Sequence, residues 1–339
     1  MLYGKINNKQ IFEYTLINKY GIKVSLINLG ATITKIITKD KHGHFSDIVL
    51  GFNNLEGYLQ KENRYFGATI GRYANRILNS TFTIEDKKYN VNKNCKNNSL
   101  HGGIIGFDKV IWDVLTNEKS NSITFSYLSP NGEEGYPGNL NIKVIYTLKN
   151  TGSLVIQYVA FTDRATPVNI TNHTYFNLSS DFSDGISDHL LKINSSKYLD
   201  INKDLIPTGK IKNVNKTIMD FRKERVIHQS FKNMNYDNTW LLNGINSKIN
   251  KAATLKFKKN GKKLDVYTTL PSVQFYDGNK IDSNALYTKG CDVYKKYYGI
   301  CIEPQFFPNS INCKIFPNTI LIPGKKYDHF IIYKFSITK

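Results

Sequence analysis

The stretch NIKVIYTLKNTGSLVIQYVAF, residues 141–161, decides the fold class of this chain. Apolar residues recur at about every second position in both of its halves, and the turn residues Asn150-Thr151-Gly152 separate the halves. This alternation predicts two antiparallel strands joined by a short turn. In the second half Leu154, Ile156 and Tyr158 share one face. Because the opposite face is also mostly apolar, we expect a strand that is covered on both faces.

Similar alternating segments recur along the whole chain. The predicted strands are residues 122–128, 141–148, 154–161, 253–257, 263–270 and 330–337. Between two of them, Asn260-Gly261 indicates a type I′ hairpin turn. Helical periodicity is weak, and residues 55–65 predict only one or two helical turns. Many strands with short turns predict an all-β fold, a large antiparallel β-sandwich, and the lack of a linker or repeat predicts a single domain over residues 1–339.

The charge of the chain is strongly positive, with 46 Lys and Arg against 27 Asp and Glu and a formal net charge of +19. The positive residues are scattered singly and in pairs, and no nucleic-acid-binding motif accompanies them. We therefore expect no nucleic-acid partner and interpret the charge as a property of solvated surfaces. The 22 Tyr and 19 Phe residues supply many rings that can stack on the apolar faces of sugars.

The cysteine pattern and the N-terminus bear on the compartment. The four cysteines show neither a CxxC pair nor zinc spacing, and although Cys291 and Cys301 could be bridged, we expect reduced thiols. The N-terminus shows no signal-peptide pattern, and no run approaches the roughly 18 apolar residues of a membrane span. We expect a cytoplasmic protein with no membrane partner.

Five segments are dense in Gly, His, Asn, Arg and carboxylates. They are GRYANRI at 71–77, SLHGG at 99–103, TPVNITNHTYFNL at 166–178, YDNTW at 236–240 and IEPQ at 302–305. Polar groups packed among apolar residues need partners or a ligand. Each segment taken alone is a weak signal, because structural roles also account for such residues.

Alternatives stay open for the individual residues of these segments. Asn169, Thr171 and His173 alternate along a predicted strand, and a polar row of this kind suits either a binding cleft or a satisfied buried network. Glu303 follows the strand-like residues 299–302 and precedes a proline, so we expect it at a strand end. It is a candidate site carboxylate or a surface carboxylate.

Structural alternatives also stay open for the arginine and histidine candidates. Arg76 could form a structural ion pair, and His101 could be an ordinary loop histidine. His42 and His44 flank Gly43 without a visible third ligand, so we expect no metal site there. Phosphate-binding Gly loops and the hydrolase nucleophile motif are missing from the sequence, and we expect no cofactor.

Together and in this order, the five segments resemble the aldose 1-epimerase (galactose mutarotase) family, and the resemblance covers nearly the whole chain. Further matching segments are NLGA at 28–31, GFD at 106–108 with Trp112, residues 129–138, IPTG at 206–209, QFY at 274–276, and PG at 323–324 with YDH at 327–329. The resemblance implies a galactose mutarotase-like (supersandwich) β-sandwich with a sugar cleft. It implies an enzyme that interconverts the α and β anomers of free hexoses such as galactose and glucose. We expect the protein to be a monomer or homodimer, since the sequence does not distinguish these states.

The resemblance also implies roles for individual residues. Glu303 matches the general base, His173 the general acid, and His101 a second histidine on the ring-oxygen side. The residues that match ligands of the sugar hydroxyls are Asn75, Arg76, Asp237 and Gln274.

Three positions depart from the family pattern. Pro304 stands where Thr is common, Asn238 where His is frequent, and Asp277 where a small Thr often lies. Because these residues flank the matched ones and do not replace them, they bear on the sugar preference and leave the reaction in place.

The reaction explains why a carboxylate and a histidine are needed. Mutarotation opens the hemiacetal ring, which requires loss of a proton from O1 and gain of one at the ring oxygen, and ring closure reverses both steps. A carboxylate base and a histidine acid can do this without a cofactor. Rival hypotheses are a hexose-phosphate epimerase and a non-catalytic sugar-binding or sensor protein on the same scaffold. A glycosidase would need two facing carboxylates, for which Glu303 and Asp237 are the candidates.

Overall fold

The structure is a computed structural model that describes residues 1–227, 235–244, 249–281 and 283–338. Within these residues the regular secondary structure is almost entirely β-strand. One α-helix, α1 at Leu55–Leu59, begins at Asn54, whose side chain accepts a hydrogen bond from the Gly57 amide. No helix in the described residues is long and apolar enough to cross a membrane.

The strands are short and closely spaced along the chain. In the first half they are β1 Leu2–Ile6, β2 Lys9–Ile17, β3 Lys23–Ile27, β4 Thr32–Lys39, β5 Phe45–Asp47, β6 Thr69–Ile70, β7 Arg76–Ile77, β8 Thr81–Ile84, β9 Lys87–Asn90, β10 Ser99–Leu100, β11 Asp113–Asn117, β12 Ser122–Ser129, β13 Leu140–Leu148 and β14 Ser153–Thr162. In the second half they are β15 Thr166–Pro167, β16 Thr171–Asn172, β17 Tyr175–Phe176, β18 Leu190–Ile193, β19 Lys197–Ile201, β20 Pro207–Asn213, β21 Arg225–Val226, β22 Asp237–Leu241, β23 Asn250–Phe257, β24 Lys262–Thr268, β25 Ser272–Tyr276, β26 Ile300–Gln305, β27 Ile320–Leu321 and β28 Tyr327–Ile337. Three 3₁₀ turns lie at Leu78–Ser80, Glu133–Gly135 and Ser310–Asn312.

Two large antiparallel sheets dominate the fold. The nine-stranded sheet has the order β11-β12-β13-β14-β28-β24-β23-β18-β21, and the six-stranded sheet has the order β17-β26-β25-β22-β19-β20. A five-stranded sheet, β1 to β5, accompanies them. This arrangement confirms the predicted all-β sandwich.

The main core lies between the inner faces of the two large sheets. Leu154, Ile156 and Tyr158 of β14 contribute to it from one side, and Phe275 and Ile302 from the other. Because side chains alternate along a strand, the next residues of β25 and β26 point to the opposite face of the six-stranded sheet. That opposite face carries the candidate site.

All six predicted strands are present, and the hairpin and helix predictions are confirmed in outline. Two details were wrong. The opposite face of β14 is not covered, since Val155 and Val159 are half-buried and Phe161 is 49% exposed on the outer side of the nine-stranded sheet. The loop between β23 and β24 is not a two-residue type I′ turn, because it spans four residues and only Gly261 of the predicted pair has positive φ. The Asn260 side chain instead donates to the Leu178 carbonyl.

Glu303 lies inside a strand and not at the predicted strand end. β26 continues through Pro304, which pairs with Val273 of β25. On its other side β26 pairs with β17 only through Ile300 and Cys301. Pro304, which has no backbone N–H to donate, lies beyond these two paired residues.

Candidate active site

A cleft of about 220 Å³ opens on the face of the six-stranded sheet that points away from the main core. This volume lies below the ~300–1,000 Å³ of pockets for drug-sized ligands and suits a monosaccharide. The cleft is lined by all seven residues that the sequence analysis selected: Asn75, Arg76, His101, His173, Asp237, Gln274 and Glu303.

Glu303 and His173 form the floor of the cleft. Glu303 Oε1 lies 3.7 Å from His173 Nε2, and the two residues are 2% and 4% exposed. The second carboxylate oxygen, Oε2, is buried without a hydrogen-bond partner. The other ring nitrogen of His173, Nδ1, lies 3.4 Å from the Sγ of buried Cys301. A carboxyl and an imidazole therefore share one end of a sugar-sized cavity.

Burial shifts the pKa values of the titratable residues in the cleft. Desolvation raises the pKa of Glu303 well above its usual range, Asp237 raises it further, and Arg76 opposes the shift. Desolvation lowers the pKa of His173 to about 4. It also lowers the pKa of His101, with further lowering by His173 and Arg76. A buried environment therefore favours the uncharged form of each group.

The loop before β7 and the loop after β10 position one wall of the cleft. The Asn75 amide donates to Nδ1 of His101 at 3.2 Å, and the His101 amide donates to the Asn75 carbonyl at 3.1 Å. Both residues have positive φ, 62° for Asn75 and 54° for His101. Gly102 follows with φ +93°, and a Cβ there would lie 1.9 Å from the Gly71 carbonyl oxygen. The HGG motif thus allows two loops to approach closely enough to present His101.

The opposite wall is a chain of polar contacts. Thr239 donates to Gln274 Oε1, and Gln274 Nε2 donates to Asp237 Oδ1 at 2.7 Å. Asp237 Oδ2 lies 3.6 Å from the Arg76 guanidinium and 3.4 Å from Lys280 Nζ. These contacts present a carboxylate, an amide and a guanidinium together, a set that can both donate to and accept from vicinal hydroxyls.

Sequence reasoning missed several cleft residues. The additional lining residues are Arg64, Tyr65, Asn94, Cys95, Leu100, Tyr175, Tyr276 and Lys280. The Tyr65 ring lies 4.7 Å from the His101 ring and 5.7 Å from the His173 ring, between centroids. Its φ of 64° is unusual for an aromatic residue, but dihedral angles leave no signal in a sequence. Arg64 and Tyr65 lie in a loop without any strong motif.

Two polar residues of the third segment do not line the cleft. Thr171 donates to the Pro304 carbonyl at 2.7 Å, and Asn169 donates to the carbonyls of Ala74 and Phe306. Of the alternating row, only His173 reaches the cleft. Asn169 and Thr171 are instead part of a buried hydrogen-bond network, the second of the two alternatives that the sequence left open.

The contacts of Arg72 show that the segment 129–138 has a structural role. Its buried guanidinium donates to the carbonyls of Ser129, Pro137 and Gly138. Burial lowers its pKa to about 10. The segment 129–138 is therefore a set of carbonyl acceptors that fixes the 71–77 loop, and it does not line the cleft.

The fold and cleft define a β-sandwich protein with a small polar cleft, and comparisons with known proteins identify its family. The family sequence model described as Aldose 1-epimerase matches residues 13–334. Human galactose mutarotase is 46% identical over 319 residues, covering 93% of this chain and 92% of that protein. Aldose 1-epimerase of Escherichia coli K12 is 34% identical over 330 residues, covering 95% and 94%.

Solved structures agree with the sequence comparisons. A GalM/aldose epimerase homologue from C. elegans has a TM-score of 0.90 and 30% identity, covering 97% of this chain and 100% of that chain. Galactose 1-epimerase from Lactobacillus acidophilus has a TM-score of 0.86 and 29% identity, covering 100% and 98%. The chain belongs to the aldose 1-epimerase family, as its sequence predicted, and is an isomerase.

Proposed function

We propose that this protein interconverts the α and β anomers of free hexoses, with Glu303 as the base and His173 as the acid. The observation that carries the proposal is the buried pair itself, 3.7 Å apart at the floor of a monosaccharide-sized cleft. The names of its relatives, galactose mutarotase and aldose 1-epimerase, support this reaction and favour galactose among the hexoses.

Ring opening needs an ionised carboxylate and an imidazolium. In this proposal the sugar-bound enzyme reacts with His173 protonated and Glu303 ionised, and Glu303 accepts the proton of the anomeric hydroxyl. As the C1–O5 bond breaks, His173 donates its proton to the ring oxygen and C1–O1 becomes a carbonyl. Rotation about C1–C2 then presents the other face of the carbonyl.

Ring closure reverses the same two transfers. Glu303 returns its proton to O1 while His173 removes the proton from the C5 hydroxyl, and the opposite anomer forms. In the open-chain stage both groups are uncharged, the form that burial of the pair favours. Burial of the pair therefore favours the open-chain stage, and after ring closure both groups have returned to their starting protonation states. Each positioned transfer contributes about 10²–10⁴-fold to the rate.

The walls of the cleft supply binding and orientation. In this proposal Arg76, Asn75, Asp237 and Gln274 bind the ring hydroxyls, and His101 lies on the ring-oxygen side. The mutual contacts of Arg76, Asp237 and Gln274 support the assignment, because they fix the groups before the sugar arrives.

A second candidate substrate is a hexose phosphate. Arg64 and Lys280 are exposed at the cleft, and together with Arg76 they place three cations around Asp237 and Glu303. A cationic rim favours an anionic substituent on the sugar. Free hexoses are the preferred proposal because the relatives are a galactose mutarotase and an aldose 1-epimerase. Comparing the turnover rates of a free hexose and a hexose 6-phosphate at equal concentration distinguishes the two proposals.

Location and assembly remain proposals. We infer a cytoplasmic protein, which the four unpaired cysteines support because reducing compartments keep thiols free. A monomer or homodimer is expected, and light scattering during size-exclusion chromatography distinguishes these two states.

The test of the function is polarimetry. Freshly dissolved α-D-galactose and α-D-glucose are followed with and without the purified protein. We expect a faster approach to the same final rotation, with galactose ahead of glucose. An unchanged rate with both sugars, in a protein shown by circular dichroism to be folded, overturns the proposal for free hexoses.

A further inference from the structure

A buried thiol that the anomer-interconversion chemistry does not use contacts the cleft floor from behind His173. Cys301 lies two residues before Glu303 on β26, so both side chains point to the same face of the sheet. Its Sγ is 3.4 Å from Nδ1 of His173, and the residue is completely buried. A thiol, an imidazole and a carboxyl are therefore grouped within one small volume.

The three donors have the chemistry of a zinc site. With one ligand atom taken from each of His173, Cys301 and Glu303, the three atoms lie within 4.8 Å of one another. Tetrahedral zinc, with bonds of about 2.0–2.3 Å to N, O and S, needs ligand atoms roughly 3.3–3.7 Å apart. Binding of zinc therefore requires side-chain movements of up to about 1 Å at this site.

We propose that His173, Cys301 and Glu303 form an inhibitory binding site for Zn²⁺ at the floor of the cleft. The buried Glu303 Oε2 has no hydrogen-bond partner and is available as a ligand atom. His173 and Glu303 line the open cleft, which gives the ion an entry path, and the fourth tetrahedral position is left for water.

The donor set selects the kind of cation. Thiolate and imidazole are ligands for zinc and related transition metals, whereas Mg²⁺ prefers oxygen ligands in octahedral geometry. The site therefore discriminates Zn²⁺ from Mg²⁺. Binding releases the thiol proton to solvent, because the thiolate is the ligand.

The expected consequence rests on the proposed function. A bound ion uses the lone pairs of Glu303 and His173, so neither can accept or donate a proton, and the sugar is excluded from the floor. We expect Zn²⁺ to inhibit mutarotation, galactose to protect against it, and EDTA to reverse it. Mg²⁺ at the same concentration should have no effect.

Direct metal binding is measured first, because it does not depend on activity. Co²⁺ is added to the full-length protein as a spectroscopic substitute for Zn²⁺, and the near-ultraviolet thiolate-to-metal charge-transfer band is recorded. Cys301→Ser removes the proposed thiolate, and Cys301→Ala serves as a second variant if the first does not fold. Cys95→Ser is the matched control, because Cys95 lines the cleft but is not one of the three proposed ligands.

The proposal predicts a charge-transfer band in the wild type and in Cys95→Ser that Zn²⁺ displaces, and no band in the Cys301 variants. The Zn²⁺ concentration for half-inhibition, taken relative to each variant's own metal-free rate, should rise at least about tenfold in Cys301→Ser, since one of three ligands is lost. Absence of the band in the wild type, or its persistence in both Cys301 variants, overturns the zinc site. A Cys301-dependent band without inhibition supports metal binding by the three residues, overturns the inhibitory role, and contradicts the acid–base roles of Glu303 and His173.

Discussion

Nε2 of His173 lies 3.7 Å from Oε1 of Glu303, although the two residues come from distant parts of the sequence. The contact exists because β17, which begins two residues after His173, pairs with β26, which carries Glu303. This pairing places an imidazole beside a carboxyl where solvent is excluded, and the account of catalysis depends on that placement.

His173→Asn should lower kcat by about 10²–10⁴-fold while KM for galactose changes little, because an amide cannot donate and recover a proton at the ring oxygen. Polarimetric progress curves at several sugar concentrations give both constants. His101→Asn, a substitution of the neighbouring ring, is the comparison and should lower kcat less. A large rise in KM with kcat retained would instead make His173 a binding residue.

Arg76→Lys should raise KM for galactose about tenfold to a hundredfold, with a smaller effect on kcat. The guanidinium presents several directed donors that one ammonium group does not reproduce, and hydrogen bonds to charged groups contribute about 1.5–3 kcal/mol each. The free energy of unfolding serves as the control, and we expect it to change much less than the binding energy. Unchanged KM contradicts a role of Arg76 in binding the sugar.

Gly102→Ala should destabilise the fold by more than about 2 kcal/mol and disable the cleft, because its Cβ would lie 1.9 Å from the Gly71 carbonyl oxygen. Gly132→Ala is the matched control, since Gly132 has a similar φ of +89° but open space around the added methyl group. Gly132→Ala should lower the free energy of unfolding by only about 1–2 kcal/mol, because the alanine must adopt a left-handed backbone conformation. Urea unfolding measures both values, and equal losses for the two variants would show that the close approach is unimportant.

Stability should fall as the pH is lowered from about 6.5 to about 4, partly because of His189. This residue is fully buried, its Nε2 accepts the Leu178 amide proton, and burial lowers its pKa to about 4. The unfolded chain binds a proton at His189 below pH ~6.5 and the folded chain does not, so up to about 3 kcal/mol is lost across this range.

His189→Gln should flatten the dependence of the unfolding free energy on pH between these values. The comparison is made with His42→Gln, because His42 is exposed. We expect this control to retain the wild-type slope. Identical slopes for all three proteins contradict the assignment to His189.

Much of the fold followed from local sequence patterns. Alternation in β13 and β14 predicted their strands to within one residue at each end, because the side-chain period of a strand determines which face is buried. The turn at Asn260-Gly261 was misjudged because a distant partner, the Leu178 carbonyl, binds the Asn260 side chain. Turn propensity describes only the local chain.

The site was predicted as a set of residues, through the family resemblance, but its geometry was not. The Thr239 contact that orients Gln274 and the thiol behind His173 arise from strand pairing, which a single sequence does not encode locally. Tyr65 and Lys280 reach the cleft from segments without a distinctive motif. For the same reason the covered outer face expected for β14 was wrong, since burial there depends on what packs against the sheet.

The most direct test of the account is the mutarotation rate of Glu303→Gln, measured together with galactose binding. Polarimetry records the approach of α-D-galactose to its final rotation, and titration calorimetry records the dissociation constant. The account predicts no acceleration above the uncatalysed rate, because the amide cannot accept the O1 proton, with sugar affinity within a few-fold of the wild type. Turnover near the wild-type rate in a folded Glu303→Gln protein would contradict the claim that Glu303 is the base.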